Sequence, residues 1–175
     1  MFTISTSRLD LIPATISMLE AELASPSELA LLLDATVPAG WPPGEYDQPA
    51  ISFFLDRVRE NADAVGWYSW YAVLRPDDGQ KIVVGAAGFF GPPDENGQVE
   101  IGYSVVSAYA GQGYATDMVQ ALVQFAFSSG RVKRMIAHTR QENVGSIRVL
   151  EKAGFVFVGA GQEEGVVEYG KNFLV

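Results

Sequence analysis

Residues 98–127, QVEIGYSVVSAYAGQGYATDMVQALVQFAF, change their hydrophobic period once, and that change constrains the fold more than any other feature. From Gln98 to Val105, apolar Val99, Ile101, Tyr103 and Val105 alternate with Glu100, Gly102 and Ser104, the period of a strand with two unlike faces. Beyond Asp117, the residues Met118, Val119, Leu122, Val123 and Ala126 recur three and four apart, which gives a helix one apolar stripe. Ala110-Gly111-Gln112-Gly113-Tyr114-Ala115-Thr116 joins the two periods. Glycines and small residues at a helix start leave its first N–H groups uncovered. Those groups lack partners within the helix and sit at the positive end of its dipole, so the turn is an anion cradle suited to phosphate. A tight strand-to-helix connection with glycines for steric reasons alone fits the same residues. A dinucleotide fingerprint fits poorly, because Thr116 stands where a third glycine is wanted and the region near Arg131 is basic rather than acidic.

Composition narrows the remaining choices. A chain of 175 residues suits one domain, 1–175, with a sizeable core. It has no cysteine and one histidine, so disulfides, a thiolate nucleophile and a multi-histidine metal site within the chain are ruled out, and no metal is expected. No apolar run reaches the roughly 18 residues of a membrane span, and the opening residues lack a secretory pattern. Cytoplasm is the expected location. The net charge of −9 is uneven: residues 1–100 carry −10 and residues 101–175 carry +1. Nucleic-acid binding, which needs a basic surface, is not expected. An anionic ligand on the second half and a cationic one near the first would suit the split, although acidic residues also simply solubilise exposed helices.

In chain order, Arg8 to Ile12 predicts a first strand ended by Pro13. Thr15 predicts the N-cap of a helix bearing Ile16, Leu19 and Leu23, and Ser25-Pro26 a helix restart. Residues 36–49 hold four prolines and predict a loop of the kind that forms a lid or binding segment. A helix is expected over 50–64, then strands over 67–74 and 81–90 around a turn at 75–80. Gly85 and Gly88 mark a bulge or close backbone approach. After the central helix come a strand at 133–139, a helix at 144–153 stopped by Gly154, and a closing hairpin of 155–158 with 166–173. This order predicts a mixed α/β fold with helices on both faces of the sheet.

The joining turn resembles a known motif. Ala110-x-x-Gly113-x-Ala115 is similar to the Q/R-x-x-G-x-G/A acyl-CoA pyrophosphate loop of the GNAT superfamily of N-acetyltransferases. The segment Asn143-Val144-Gly145-Ser146 through Gly154-Phe155 resembles a second signature of that superfamily, in the branch of ribosomal-protein alanine N-acetyltransferases. The opening Thr6-Ser7-Arg8-Leu9-Asp10-Leu11 is similar to that branch's first strand. The resemblance implies an acyl-CoA N-acyltransferase fold, with a mostly antiparallel sheet splayed between its fourth and fifth strands, here 98–105 and 133–139. It implies acetyl-CoA as cosubstrate and a primary amine, on a protein N-terminus or a small molecule, as acceptor. The amine would attack the thioester directly within a ternary complex, with no covalent enzyme intermediate, on an enzyme that is a monomer or homodimer. A decayed CoA-binding regulatory or scaffold module is the rival reading.

Candidate site residues follow. The cofactor would be held at Val105, Gly111, Gln112, Gly113, Tyr114, Ala115, Thr116 and Asn143. Ala110 stands where most members carry Arg or Gln, so one charge contact is missing; main-chain donors would still carry binding, and Arg140, Arg148 and Lys152 are candidates to supply the contact or else ordinary solvated charges. Glu100 is the candidate base, as the resemblance implies: on a central strand a carboxylate needs a partner, and desolvation would raise its pKa, although an edge or salt-bridged Glu fits the same position. Asn143 has N-cap chemistry, and by resemblance also holds the cofactor arm or a water. By resemblance to that branch the thiolate would be protonated by Ser146, with Tyr103, Tyr109 and Tyr114 as alternatives. Trp41, Tyr46 and Trp67 are candidate walls of an acceptor pocket, or else packing that pins the loop. His138, on an apolar strand, is expected to be a packed, hydrogen-bonded imidazole.

Overall fold

The computed structural model describes residues 2–77 and 79–174. The chain runs β1 (Ile4–Ser5), β2 (Leu9–Pro13), α1 (Ile16–Ala24), α2 (Pro26–Leu33), α3 (Gln48–Glu60), β3 (Ser69–Leu74), β4 (Ile82–Phe89), β5 (Gln98–Val105), α4 (Tyr114–Ser128), β6 (Arg134–Arg140), α5 (Val144–Lys152), β7 (Val156–Ala160) and β8 (Val166–Asn172). The strands lie in the order β1-β2-β3-β4-β5-β6-β8-β7. Every neighbouring pair is antiparallel except β5 with β6. No helix among the described residues is long and apolar enough to cross a membrane.

The two-residue period of the strands sends side chains to two cores. Trp70, Ala72, Phe89, Ile101 and Met135 pack with Met118, Leu122 and Ala126 of α4 on one face. Tyr71, Val73, Val83 and Ala86 pack with Leu19, Leu29, Ile51 and Leu55 of α1–α3 on the other. Helix starts follow local chemistry. The hydroxyls of Thr15 and Ser25 accept from Met18 and Glu28 N–H, and the Asp47 carboxylate accepts from Ala50 N–H. Asp47 with Pro49 in the first turn starts α3 two residues before the predicted 50. That helix also stops at Glu60, because the Asn61 side chain accepts from Asp63 N–H and opens a short 3-10 turn, Ala62–Ala64. β1 is an addition to the predicted strands, too short to carry a period. The turn predicted at 75–80 joins β3 to β4; its Asp78 lies outside the described residues.

Both glycines in β4 have steric reasons. The β3–β4 register skips Val84, next to Gly85, so a bulge sits there. A Cβ at Gly88 would fall 1.9 Å from the Tyr68 carbonyl oxygen, so the backbones approach as only glycine permits.

The feature that makes room for chemistry is the short β5–β6 ladder. It pairs Gln98, Val99 and Glu100 with Arg134, Met135 and Ile136 and goes no further. β4 holds β5 as far as Val105, and β8 holds β6 as far as Arg140. Each strand is therefore secured from its outer side while the inner edges, 101–105 and 137–140, part. These are the two strands expected to splay, fifth and sixth in this chain because β1 adds one.

Candidate active site

At the mouth of the gap, α4 begins with its backbone donors bare. Its N-cap is Gly113 at φ +86° and ψ 4°, a left-handed conformation that strains other residues, and no side chain caps the helix. Ala110, Gly111, Gln112 and Gly113 are exposed, Tyr114 is buried and Ala115 and Thr116 are half-buried, and among the described residues the N–H groups of 113–116 have no hydrogen-bond acceptor. Arg8 braces this loop from behind. Its guanidinium donates to the Gln112 carbonyl at 2.8 Å, pairs with Asp117 at 2.8 Å and lies 4.7 Å from the centre of the Tyr114 ring.

Further in, the gap widens to a cavity of about 720 Å³, lined by stretches of β4, β5 and β6 with Tyr46, Phe54, Asn143, Ser146 and Glu163. Glu100 is on this wall, with Gly102 and Ser104 beyond it on the same strand. The desolvation expected of a central-strand carboxylate is incomplete: the Glu100 side chain keeps 34% exposure and gains a partner instead. His138 Nδ1 lies 2.8 Å from its Oε1, and His138 Nε2 lies 3.3 Å from Glu168 Oε2. Partial burial pulls the imidazole's pKa down, but the hydrogen bond and charge of Glu100, then the charge of Glu168, carry it above the usual 6.5. His138 is thus hydrogen-bonded as expected, but it is in the cavity wall rather than packed away.

Opposite, the Tyr103 hydroxyl is 2.8 Å from Ser146 Oγ and also donates to the Ser146 carbonyl at 3.0 Å. Burial, eased slightly by the Ser146 bond, pushes the phenol up to about 12, so it keeps its proton throughout the neutral range. Asn143 caps α5, its Oδ1 accepting from Ser146 N–H at 3.1 Å. That leaves the amide nitrogen of this exposed side chain free to donate. Among the described residues, no cluster of three or more histidines, cysteines or carboxylates is arranged to hold a metal ion.

An uncapped helix start, a parted strand pair and a carboxylate beside the gap together point to an acyltransferase cleft. Residues 15–156 match the acetyltransferase (GNAT) domain. The chain belongs to the GNAT acetyltransferase family. It is 33% identical over 156 residues to YjdG, an uncharacterized N-acetyltransferase of Bacillus subtilis, covering 89% of this chain and 90% of the relative. A GNAT-family acetyltransferase of Bordetella pertussis superposes with a TM-score of 0.69 at 22% identity, over 98% of this chain and 99% of that one. RimL, a ribosomal-protein alpha-N acetyltransferase solved with coenzyme A, does so with a TM-score of 0.64 at 20% identity, over 98% of each chain.

In this GNAT chain the structure brings Glu100, Tyr103, Asn143 and Ser146 to one cavity, with Tyr46 in its wall. Gly111 to Thr116 and Val105 are not in the cavity lining: the former sit at the start of α4, and Val105 ends the free edge of β5. Tyr114 is buried, so only its backbone is offered. Neither Trp41 nor Trp67 is in the cavity wall; Trp41 follows the alternative of packing that pins the loop, and Trp67 packs elsewhere. Trp67 packs on the opposite face of the sheet against Phe89 and Phe125. Trp41 is buried and pins the 36–47 loop by donating its indole N–H to Glu22 at 2.8 Å. Glu22 also accepts from Tyr46 at 2.9 Å and Tyr71 at 2.5 Å. Burial raises its pKa, against the opposing pull of the bonds from Tyr71, Trp41 and Tyr46. Sequence reasoning passed over this residue. The signal was present: Glu22 follows Met18 by four and Leu19 by three, which places a carboxylate on the buried stripe of α1. Arg8 was also missed as the loop's cation; Arg148 and Lys152 are exposed on α5, and Arg140 lines the cavity.

Proposed function

We propose that this protein moves an acetyl group from acetyl-CoA to a primary amine by direct attack within a ternary complex. The observation that carries the reading is the unpaired stretch of β5 and β6 lying between the open start of α4 and the Glu100 carboxylate. Acetyl-CoA supplies a thioester carbonyl and a thiolate leaving group. The residues fit it: bare N–H groups from Gln112 to Ala115 offer a diphosphate main-chain donors at a positive helix end, and Arg8 supports the loop where Ala110 brings no charge.

The chain's own groups then divide the proton work. Glu100 takes the proton of an incoming ammonium, which must be lost before nitrogen can attack. Ser146 and Tyr103, linked through their hydroxyls at 2.8 Å, offer a hydroxyl proton to the departing sulfur, the Tyr103 proton turning from the Ser146 carbonyl to do so. A phenol at about 12 does this by hydrogen bonding, since handing its proton fully to a thiolate with a pKa of about 8.5 is uphill. The amide nitrogen of Asn143 is placed to orient the cofactor arm or a water.

The acceptor side carries Glu45, Glu100 and Glu163 among the aromatic Tyr46, Phe54 and Phe90, which suits a cationic amine with an apolar body. RimL, named for acetylating a ribosomal protein at its alpha-amino group, makes a protein N-terminus one such acceptor to test alongside amino acids and polyamines. Free-thiol release from acetyl-CoA across an amine panel tests the reading. Release with at least one cationic amine is expected; CoA binding with no release on any amine would favour a scaffold.

A further inference from the structure

One imidazole here bridges two carboxylates borne by the strands on either side of its own. β6 carries His138 between Glu100 of β5, at 2.8 Å, and Glu168 of β8, at 3.3 Å. Glu168 lies directly across the ladder from His138, and the guanidinium of Arg134 holds its other oxygen at 3.2 Å. A neutral imidazole has one N–H and one lone pair, so it can satisfy only one ionised carboxylate while its lone pair faces the other. An imidazolium satisfies both. The site is therefore built to welcome one further proton.

We propose that His138 is the second acceptor in the proton path, taking from Glu100 the proton that Glu100 takes from the amine. This rests on Glu100 being the base. The cycle starts with Glu100 ionised and the imidazole neutral, its proton on Nε2 and facing the Glu168 carboxylate at 3.3 Å. Glu100 gains a proton as the ammonium N–H bond breaks. That O–H bond then breaks as Nδ1–H forms, which returns Glu100 to its ionised state and leaves an imidazolium between two carboxylates. The imidazolium gives its proton to water, which reaches the ring because the side chain keeps 29% exposure. Glu168 and Arg134 act through His138 and are positioning residues. The charged groups set against the ring are Glu100, Glu168 and Arg134, and Glu163 and Arg140 line the same cavity.

His138 is the chain's only histidine, so its ring resonances in an NMR pH titration need no assignment. The parent ring is expected to titrate above 6.5, and Glu168→Gln to move that titration to lower pH. The acidic limb of the kcat profile should move with it, by the same interval. His138→Gln should remove the limb and lower kcat on the order of 10-fold to 100-fold while leaving CoA affinity unchanged. If His138→Gln keeps the parent kcat and limb while Glu100→Gln has lost turnover, the relay is wrong and Glu100 remains the base. Full turnover in Glu100→Gln removes both. Should His138→Gln fail to fold, Glu168→Gln decides, because a limb that stays fixed while the ring titration moves overturns the relay.

Discussion

Arg8 and Asp117, 109 residues apart, are joined by a 2.8 Å ion pair whose guanidinium also holds the Gln112 carbonyl, so the bend between β1 and β2 braces the loop before α4. The pair is partly exposed and is worth little as a stabilising bridge. Its consequence is positional. Arg8→Ala should lower Tm by only a few degrees yet weaken CoA binding about 10-fold, read by calorimetry. Unchanged CoA affinity would show that the loop keeps its shape without the brace.

The Tyr103–Ser146 contact predicts a coupled pair. Tyr103→Phe and Ser146→Ala should each lower kcat by roughly 10-fold to 100-fold with CoA affinity preserved, and the double variant should be no worse than the poorer single one. Because the phenol titrates only near 12, no basic limb from it should appear below about pH 10. A fully active Ser146→Ala would assign the role to Tyr103 alone.

Glu22 links stability to the acceptor pocket. Glu22→Ala leaves three buried donors, on Trp41, Tyr46 and Tyr71, without an acceptor. At about 1–3 kcal/mol each, the expected loss is about 3 kcal/mol or more in chemical denaturation. Glu22→Gln restores two of the three bonds and should cost less. It should also raise the acceptor KM, because Tyr46 is both a Glu22 partner and a cavity wall.

The sign of the pH effect follows from the same burial. The folded pKa of Glu22 lies above its unfolded value near 4.5, so the native state holds the extra proton. Stability from this group is full below that value and falls as pH rises through the folded pKa. Glu22→Gln should flatten that fall in a series of denaturant titrations across the acid range; an unchanged slope would assign it to other groups.

What the sequence made legible was local. The strand 98–105 matches β5 end to end, and Thr15 and Ser25 cap helices as expected, because periods and caps depend on near neighbours. The splay came only through the family resemblance, since no residue in either strand states how far the ladder runs. Arg8 and His138 were opaque for a related reason. Each has a role fixed by partners on other strands or by a loop more than 100 residues away, and a lone ionisable residue does not name its partner. Trp41 and Trp67 were aromatic residues in promising places; burial, which only packing decides, put both outside the cavity.

The central claim is that main-chain donors at the start of α4 grip a diphosphate. The direct measurement is an amide ¹H–¹⁵N NMR titration of the protein with CoA and, separately, with pantetheine, which lacks the diphosphate. The account predicts that the largest CoA-induced shifts fall on Gly113, Tyr114 and Ala115 and that pantetheine leaves those amides nearly unmoved. Saturating CoA that shifts other regions while those three amides stay in place would contradict it.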